Sequence, residues 1–322
     1  MKVSRYIIPL ILLGCLAVPL TAQVNDTYVI PVSGNLNGAF GTRWMTRFSV
    51  FNPQTQYSLK ISVTFVPTGG AVGTEARFTV PANSVAFFDN VLSDVFHVNG
   101  SGALLVATFP EDNPGVPNDI VSRAFLVTSD TYNNASSGTY GQTIPGVWAG
   151  LQDFNTDGIS AIAHGIRDIA AQGWRTNVGA VNLGRRSITM HVTVFDYNGN
   201  TILDNAPFTI PPMAHLQDHL PVEVDRGAIE FTVDDPSKQA VVFPYTSTID
   251  QLSGDPSYQS PTLLATPKVL FPKGAMTPTP ASLASPGKKL DLTIAREVRA
   301  NATSIGEVAL VMSTEGYRIA PK

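Results

Sequence analysis

The chain contains two copies of one domain-sized pattern. The nonapeptide WMTRFSVFN at residues 44–52 recurs as WRTNVGAVN at residues 174–182, which lies 130 residues later. The tetrapeptide FTVP at residues 78–81 recurs as FTIP at residues 208–211, with the same offset. A repeat of this length is a structural unit that is used twice. The fold of the chain therefore reduces to the fold of one module.

The first 22 residues are typical of a cleaved secretory signal. Lys2 and Arg5 precede an apolar run over residues 7–18, and small residues stand just before Gln23. This order of a positive start, an apolar stretch and a small-residue site directs export and removal of the segment. We therefore expect a mature chain that begins near Gln23 and a secreted, extracellular or periplasmic protein.

Cys15 is the only cysteine of the chain. The sequence LLGC at residues 12–15 resembles a bacterial lipobox, and acylation of Cys15 would then anchor the protein to a membrane. If the signal is removed instead, the mature chain has no thiol, and its domains are held by core packing without disulfides. Thiol nucleophiles and cysteine-bound zinc or iron–sulfur sites are excluded in that case.

The body of the chain has the two-residue period of half-buried strands. Apolar and polar residues alternate over Leu59–Phe65 and over the matching segment Ile188–Val194, and glycine-containing turn signals follow at 69–70 and 198–199. Each copy holds six or seven such strands. Because a single sheet would leave one apolar face in water, we predict an all-β fold of two tandem immunoglobulin-like antiparallel β-sandwiches.

The repeat and the proline content set the predicted domain boundaries. They divide the chain into a signal peptide (1–22), copy one (23–145), copy two (146–261), a proline-rich linker (262–287) and a C-terminal extension (288–322). We expect the extension to form a pair of strands, Lys289–Ile294 and Val308–Ser313. Such a short segment has a weak core, so it is predicted to dock on a module or on a partner.

The sequence shows no motif of a known catalytic class. It has no Gly-x-Ser-x-Gly and no His-Glu-x-x-His pattern, and the match of Ser285 to Lys288 with Ser-x-x-Lys is broken by Pro286, which prevents the helix that this chemistry needs. The net charge is −4 and no basic patch is visible, which argues against nucleic acid as a partner. We predict that the protein is not an enzyme.

One segment resembles the start of a calcium-binding loop. Asp153, Asn155 and Asp157 place oxygen ligands at alternate positions, and Gly158 allows the sharp turn that brings them together. The twelfth position is His164, where a bidentate glutamate is expected. Two interpretations stay open, a truncated calcium site and a turn rich in Asp and Asn that holds no ion.

His215 and His219 lie four residues apart, so one face of a strand or helix could present both. With Asp218 or Glu223 nearby, they form a conceivable zinc or copper site. The alternative is a strand that follows the proline turn at 211–212 and binds no metal. The metal-free strand is favoured, because a true metal site would usually show more ligands.

Four residues recur at matching positions in both copies. Trp44 and Trp174 are predicted to pack in the core of their copies, because a residue that serves the core must appear in both modules. Asn52 and Asn182 close the same strand, and we predict that they cap the turn that follows it.

Three aromatic residues have no counterpart in the other copy. Trp148, Tyr132 and Tyr197 are therefore the candidates for an exposed surface on which a glycan or protein partner stacks. The loops Phe109–Asp119 and Val147–Ala171 are the expected sites of presentation, since insertions between strands are surface features.

The repeated phrases resemble a known group of proteins. They are IP at 30–31, GTRWMT at 41–46, TYGQTIP at 139–145 and WRTNVGAVN at 174–182. The chain from Ile30 to Pro261 is similar to a family of uncharacterised, tandem-repeat, secreted bacterial β-sandwich modules of an immunoglobulin-like kind. The resemblance implies a secreted or surface-exposed bacterial protein. Its motifs are structural and supply no catalytic residues.

Together these features predict a non-catalytic, secreted or cell-surface structural or adhesion module. It would present loops to a protein or glycan partner at the cell surface, or assemble with itself through edge strands. The alternative functions are carbohydrate binding through the unmatched aromatic residues and service as an accessory protein of a secreted hydrolase system. A membrane contact is expected only if Cys15 carries a lipid, and calcium is the only cofactor suggested.

Overall fold

The computed structural model describes residues 27–38, 41–119, 121–135, 138–149, 159–235, 240–265 and 292–320. Strands far outnumber helices in these ranges, which confirms the prediction of an all-β protein. Across the same ranges, no helix is long and apolar enough to cross a membrane.

In its described residues, copy one has nine strands, one α-helical turn, α1 (Val91–Asp94), and a 3₁₀ turn at Pro110–Asp112. The strands are β1 (Thr27–Asn37), β2 (Arg43–Asn52), β3 (Leu59–Pro67), β4 (Thr74–Val80), β5 (Ser84–Phe88), β6 (Gly100–Ala107), β7 (Leu126–Ala135), β8 (Gly138–Pro145) and β9 (Val147–Trp148). The first sheet has the order β4-β3-β6-β1-β9, and the second sheet has the order β5-β2-β7-β8. The end of β1 also pairs with β2 and joins the two sheets there.

Copy two repeats this topology strand by strand. Its strands are β10 (Ile159–Asp168), β11 (Trp174–Asn182), β12 (Ile188–Phe195), β13 (Thr201–Ile210), β14 (Ala214–His219), β15 (Val224–Asp234), β16 (Val242–Asp250), β17 (Asp255–Gln259) and β18 (Thr262–Ala265). The first sheet is β13-β12-β15-β10-β18 and the second is β14-β11-β16-β17. The sequence repeat is thus a repeat of topology. β9 lies beyond the predicted boundary at 145, and β18 lies within the predicted linker.

The two sheets of each copy share one buried core. In copy one, Phe48 of β2 and Phe88 of β5 meet residues of the first sheet such as Ile61 and Val106. In copy two, the cluster that contains Met190 and Phe231 of the first sheet also contains residues of β11, β14 and β16. Because the inner faces of both layers are apolar, each copy buries them against each other.

The strand order, which the sequence does not predict, differs from that of an immunoglobulin constant domain. In an immunoglobulin constant domain the first two strands, A and B, belong to the same sheet. Here the body of β1 lies in the first sheet and β2 lies in the second, and β10 and β11 are divided in the same way. The chain therefore crosses between layers at its first connection.

The two copies pack against each other through apolar side chains. The outer face of the first sheet of copy one, with Val66 and Leu105, shares a buried cluster with Val181 and Phe243 from the second sheet of copy two. β3 and β6 are consequently buried on both faces. In copy two no described segment covers the matching first sheet in this way, and the position that corresponds to Leu105 carries the half-buried Glu230.

The C-terminal segment, residues 292–320, folds onto copy one, and we call it the C-terminal clip. It consists of α2 (Leu292–Ala300), β19 (Thr303–Glu307), β20 (Leu310–Ser313) and β21 (Gly316–Ile319). β19 adds to β4 in parallel, and β21 adds to β5 in parallel with β20 beyond it. The clip thus covers an edge of each sheet of copy one.

The first part of the clip differs from its prediction. Leu292–Ile294, the described part of the expected strand Lys289–Ile294, begins a helix. Ala295 and Val298, three residues apart, are both buried in the cluster between the copies, and this spacing places them on one helical face. Of the predicted strand Val308–Ser313, the residues Leu310–Ser313 form β20.

Candidate functional site

Of the predicted metal-binding groups, the histidine pair lies within the described residues and the calcium ligands lie outside them. Asp153, Asn155 and Asp157, the proposed calcium ligands, lie outside the described residues. Among the residues that are described, no group of three or more His, Cys, Asp or Glu side chains could hold a metal ion.

The two histidines of the conceivable zinc site have separate partners. His215 is fully buried, with Nδ1 at 2.7 Å from the hydroxyl oxygen of Thr68 and Nε2 at 2.7 Å from that of Tyr245. His219 is half-exposed and its Nε2 lies 2.9 Å from the carboxylate of Asp168. Since both ring nitrogens of His215 make hydrogen bonds within the protein, His215 has no nitrogen to offer a metal.

The three unmatched aromatic residues do not form one surface. Tyr132 is only 8% exposed, and its hydroxyl donates to the backbone oxygen of Asp89. Trp148 is half-buried against the core of copy one. Tyr197 is 69% exposed, with the guanidinium of Arg226 at 5.8 Å from its ring. The predicted exposure is therefore wrong for Tyr132. Trp148 is only partly buried, so its role as a stacking surface stays a prediction, and Tyr197 is exposed.

The recurring tryptophans occupy matching positions at the start of a strand, and neither is a core residue. Trp44 pairs with Leu36 where β1 meets β2, and Trp174 bridges to Ile169. Both side chains are half-buried, so their predicted place in the core is wrong. In both strands the first buried position comes two residues later, at Thr46 and Thr176.

The recurring asparagines cap a turn in each copy, as predicted. The side-chain amide of Asn52 donates to the backbone oxygens of Val80, Pro81 and Tyr57, at 2.8 to 3.0 Å. Its oxygen accepts from the backbone N–H of Gln54 at 3.0 Å. Both asparagines are fully buried.

Asn182 makes the same set of bonds in copy two. Its amide donates to the backbone oxygens of Ile210, Pro211 and Arg186, and its oxygen accepts from the N–H of Gly184. One amide therefore bonds four backbone groups of the turn, in surroundings that are buried or partly buried.

A buried polar cluster stands at the junction of the copies. The hydroxyl of Tyr245 donates to Gln217 at 2.8 Å and also contacts His215, which reaches Thr68 of copy one. Burial lowers the pKa of His215 to about 3 and raises the pKa of Tyr245 well above its usual value. The groups are neutral at ordinary pH, so the cluster joins the copies and is poorly suited to acid–base chemistry.

Gly179 makes room for this cluster. A Cβ atom at this position would lie 2.3 Å from the ring of Tyr245, because the ring lies flat across β11. The corresponding position of copy one is Ser49, which faces Thr128 on the neighbouring strand. The absence of a side chain at Gly179 is thus tied to the junction and not to the fold of the module.

The predicted display loop Phe109–Asp119 is the receptor for α2. Arg296 of α2 binds the carboxylate of Glu111 at 2.9 and 3.0 Å, and this hydrogen bonding lowers the pKa of Glu111. Arg299 binds Asp112 at 2.5 Å, and its guanidinium lies 4.7 Å from the ring of Phe109. The first half of the loop therefore faces the clip.

The same loop is also held against strand β3 by hydrogen bonds. Phe109 and Asn113 are buried, and the side chain of Asn113 bonds both the N–H and the backbone oxygen of Lys60 in β3. The second expected display loop, Val147–Ala171, contains β9 and β10. Neither segment is a freely presented loop over its whole length.

A buried carboxylate lies beneath the clip. Glu75 of β4 is 1% exposed and accepts hydrogen bonds from Ser62 at 3.0 Å and from Ser304 of the clip at 2.9 Å. The guanidinium groups of Arg77 and Arg299 lie 3.3 Å from it. Two of the four partners of Glu75 therefore come from the clip.

The strands of the clip complete the edges of copy one. The N–H of Thr303 donates to the oxygen of Gly73 at 2.7 Å, and the N–H of Val308 donates to the oxygen of Arg77 at 2.6 Å. On the other sheet, Tyr317 pairs with Ala86. These bonds satisfy backbone groups along the edge strands β4 and β5.

A groove of about 510 Å³ lies where the copies and α2 meet. Val66, Val72, Met213 and Val298 line it, and an ion pair between Arg185 and Glu297 stands at its side. The lining is largely apolar, which suits contact between chain segments better than bond-making chemistry.

The signals for the clip site are present in the sequence but are dispersed. Arg296 and Arg299 lie three residues apart on one face of α2, and their acidic partners Glu111 and Asp112 are adjacent in the loop. More than 180 residues separate the two halves, so only the opposite charges and the extra loop of copy one could have suggested the pairing.

Comparison with known proteins adds no relative. No protein-family model matches the chain, and a search of curated protein sequences gives no match.

Proposed function

We propose that this is a non-catalytic, secreted or cell-surface structural module of a bacterium, in which two immunoglobulin-like sandwiches in the broad sense act as one rigid body. The observation that carries the proposal is the shared apolar cluster between the copies, to which α2 also contributes. A spacer of independent domains would join its units by a linker with few contacts. Here the two copies and α2 share a buried apolar cluster, from which water is excluded.

The buried ionisable groups support a structural role. Glu75 is paired with two arginines and two serines, and His215 is enclosed between two hydroxyl groups. Each of these groups links two segments of the chain. A catalytic group would instead be expected to face a cleft with a free donor or acceptor.

The proposed partner is a protein or a glycan at the cell surface, or a second copy of the chain. Sheet edges are suited to such contacts because their backbone groups pair with any added strand. Carbohydrate binding is the second candidate. It is supported by the exposed ring of Tyr197 beside Arg226, although a single ring makes a small platform.

Two measurements test the proposal. The protein should unfold in one cooperative transition by calorimetry, because the copies share a core. Two separate transitions would contradict the rigid body. Expression with the native leader, followed by cell fractionation and mass spectrometry, should give an exported chain that starts at Gln23, or a lipidated chain that starts at Cys15.

The partner class is tested separately. A pull-down from the cell surface with the purified protein should recover a protein partner or the chain itself. Glycan binding that is lost in Tyr197→Ala would favour the second candidate. Calcium binding by Asp153, Asn155 and Asp157 is kept as a proposal, and an unchanged melting temperature on addition of chelator would remove it.

A further inference from the structure

We propose that the edges of copy one form a strand-accepting surface, and that the C-terminal clip of a second copy of this chain occupies it in exchange for the chain's own. This inference rests on the proposed structural function and names the segment through which the protein would assemble with itself. Four observations support it: the completeness of the module without the clip, the state of its edge, the chemistry of the contact and the length of the connection.

The clip is an addition to copy one and not a part of its fold. Copy two has the same two sheets in the same strand order, and among the described residues the strands β10 to β18 form them. The clip also joins the edges of copy one in parallel, whereas the strands within each copy pair antiparallel. It therefore relates to the module as a bound segment relates to its receptor.

The edge strand β4 needs an occupant, whereas its counterpart does not. β13 protects its own edge with Pro207, which has no N–H to donate, and with Asn205, whose φ of 49° bends the strand. β4 contains no proline and no residue of positive φ. Without the clip, its backbone groups would be open to any extended chain.

The contact chemistry selects the clip as that occupant. Glu75 is buried and would keep only Arg77 and Ser62 if the clip left, and a buried charge that loses a partner is costly. A replacement strand must bring a guanidinium and a hydroxyl group five residues apart, as Arg299 and Ser304 do. The clip of a second copy brings the same pair.

The segment between β18 and α2 is long enough for the clip to reach copy one of its own molecule or of a neighbouring molecule. Residues 266–291 join β18 to α2, which is a chain of 26 residues. At its full extension of about 3.4 Å per residue, such a chain spans roughly 90 Å. This reach includes copy one of a neighbouring molecule as well as that of the same molecule. A reciprocal exchange would pair two chains, and a one-way exchange would build a longer assembly.

The test uses two full-length chains in a Cys15→Ser background. One carries Thr74→Cys on β4 and the other carries Thr303→Cys on β19, since these two residues are partners in the β4–β19 ladder. The chains are mixed, unfolded and refolded together, and then treated with a short bismaleimide cross-linker. A matched control replaces Thr74→Cys by Asp204→Cys, which lies at the corresponding place on β13.

We expect a covalent dimer in the mixture and none above background in the control. A tenfold rise in total concentration before cross-linking should raise the ratio of dimer to monomer about tenfold while the dimer is the minor species, by mass action. A chain with both Thr74→Cys and Thr303→Cys should close within itself when it is refolded at high dilution.

One outcome overturns the proposal. If the doubly substituted chain closes within itself at every concentration, and the mixed chains give no more dimer than the Asp204→Cys control, the clip serves only its own molecule. Arg299→Gln supplies a second measurement, because loss of one partner of Glu75 should speed the exchange between preformed chains severalfold. An unchanged rate would show that this contact does not hold the clip.

These results are separable from those that test the proposed function. A clip that never exchanges leaves the export, the single unfolding transition and the binding of a surface partner as they are. Conversely, two unfolding transitions would contradict the rigid body while the cross-linked dimer still formed.

Discussion

Copy one and copy two have the same strand order but protect their edges in different ways. The edge strand β4 of copy one is covered by β19, whereas no strand of the described residues pairs with the outer edge of its counterpart β13, which carries Pro207. Likewise β5 is covered by β21, and β14 makes only a short parallel bridge, from His215 to Thr68 of copy one. The two copies therefore share their strand order and differ at the edge strands, where each copy contacts other parts of the chain.

The second difference lies on the face of the second sheet. In copy two this face meets copy one, and it carries His215, Gly179 and Tyr245. The corresponding positions of copy one are Val85, Ser49 and Thr128. The residue types that make the junction are therefore confined to the copy that uses them, and this predicts which substitutions are specific to one copy.

The largest expected difference between the copies is a pH effect at His215. Its folded pKa of about 3 lies below the ordinary value of 6.5, so the folded chain resists protonation. Stability is fully present above pH 6.5 and is lost as the pH falls toward 3, by about 4 to 5 kcal/mol in order of magnitude. Denaturant unfolding across this range should show a shallower acid loss in His215→Gln. If the free energy of unfolding falls equally steeply with pH in the parent chain and in His215→Gln, water reaches His215 in the folded protein.

The next largest effect concerns the capping asparagines, and it should be the same in both copies. Asn52→Ala and Asn182→Ala each leave several buried backbone groups without a partner. Each substitution should lower the free energy of unfolding by about 3 kcal/mol. A large loss in one variant and a small loss in the other would show that the two turns are alike in geometry only.

A smaller effect should distinguish Gly179 from Ser49. Gly179→Ala places a methyl group against the ring of Tyr245 and should cost about 2 kcal/mol by overpacking. Ser49→Ala, at the matching position of copy one, should change the stability by less than about 0.5 kcal/mol. Chemical denaturation of both variants makes the comparison. If Gly179→Ala is harmless, the ring of Tyr245 can move away from β11.

The smallest effect on stability is expected for Pro207→Thr, which gives β13 an edge N–H. Because Pro207 is exposed, the free energy of unfolding should change by less than about 0.5 kcal/mol. Light scattering should nevertheless show more association at high concentration, since the edge loses a protecting residue. Thr209→Ser on the same strand is the control. If Pro207→Thr associates no more than Thr209→Ser, residues other than Pro207 protect this edge from association.

The sequence predicts the parts of the fold that depend on local pattern. Alternation over Leu59–Phe65 and the repeated asparagines indicate strands and turns that the structure contains, because these features act over a few residues. Recurrence of Trp44 and Trp174 correctly indicates equivalent positions. It does not report burial, and both side chains lie at the border of the core.

The clip site depends on contacts that no local pattern records. Arg299 meets Glu75 across more than 220 residues of sequence, and the acidic loop that receives α2 has the composition of an exposed loop. Tyr132 likewise is buried because Arg47 and Asp89 cover it, which its own neighbours in the sequence do not reveal. Tertiary packing decides all three cases.

The outer face of the first sheet determines whether a further module can pack on each copy. In copy one it is apolar and carries a second unit, but at the same place copy two has Glu230 and Thr232 where copy one has Leu105 and Ala107. A further module seated there in the same manner would have to strip water from a carboxylate, and that cost opposes the contact. The residue differences at these two positions therefore oppose the packing of a further module on copy two in the way that copy two packs on copy one.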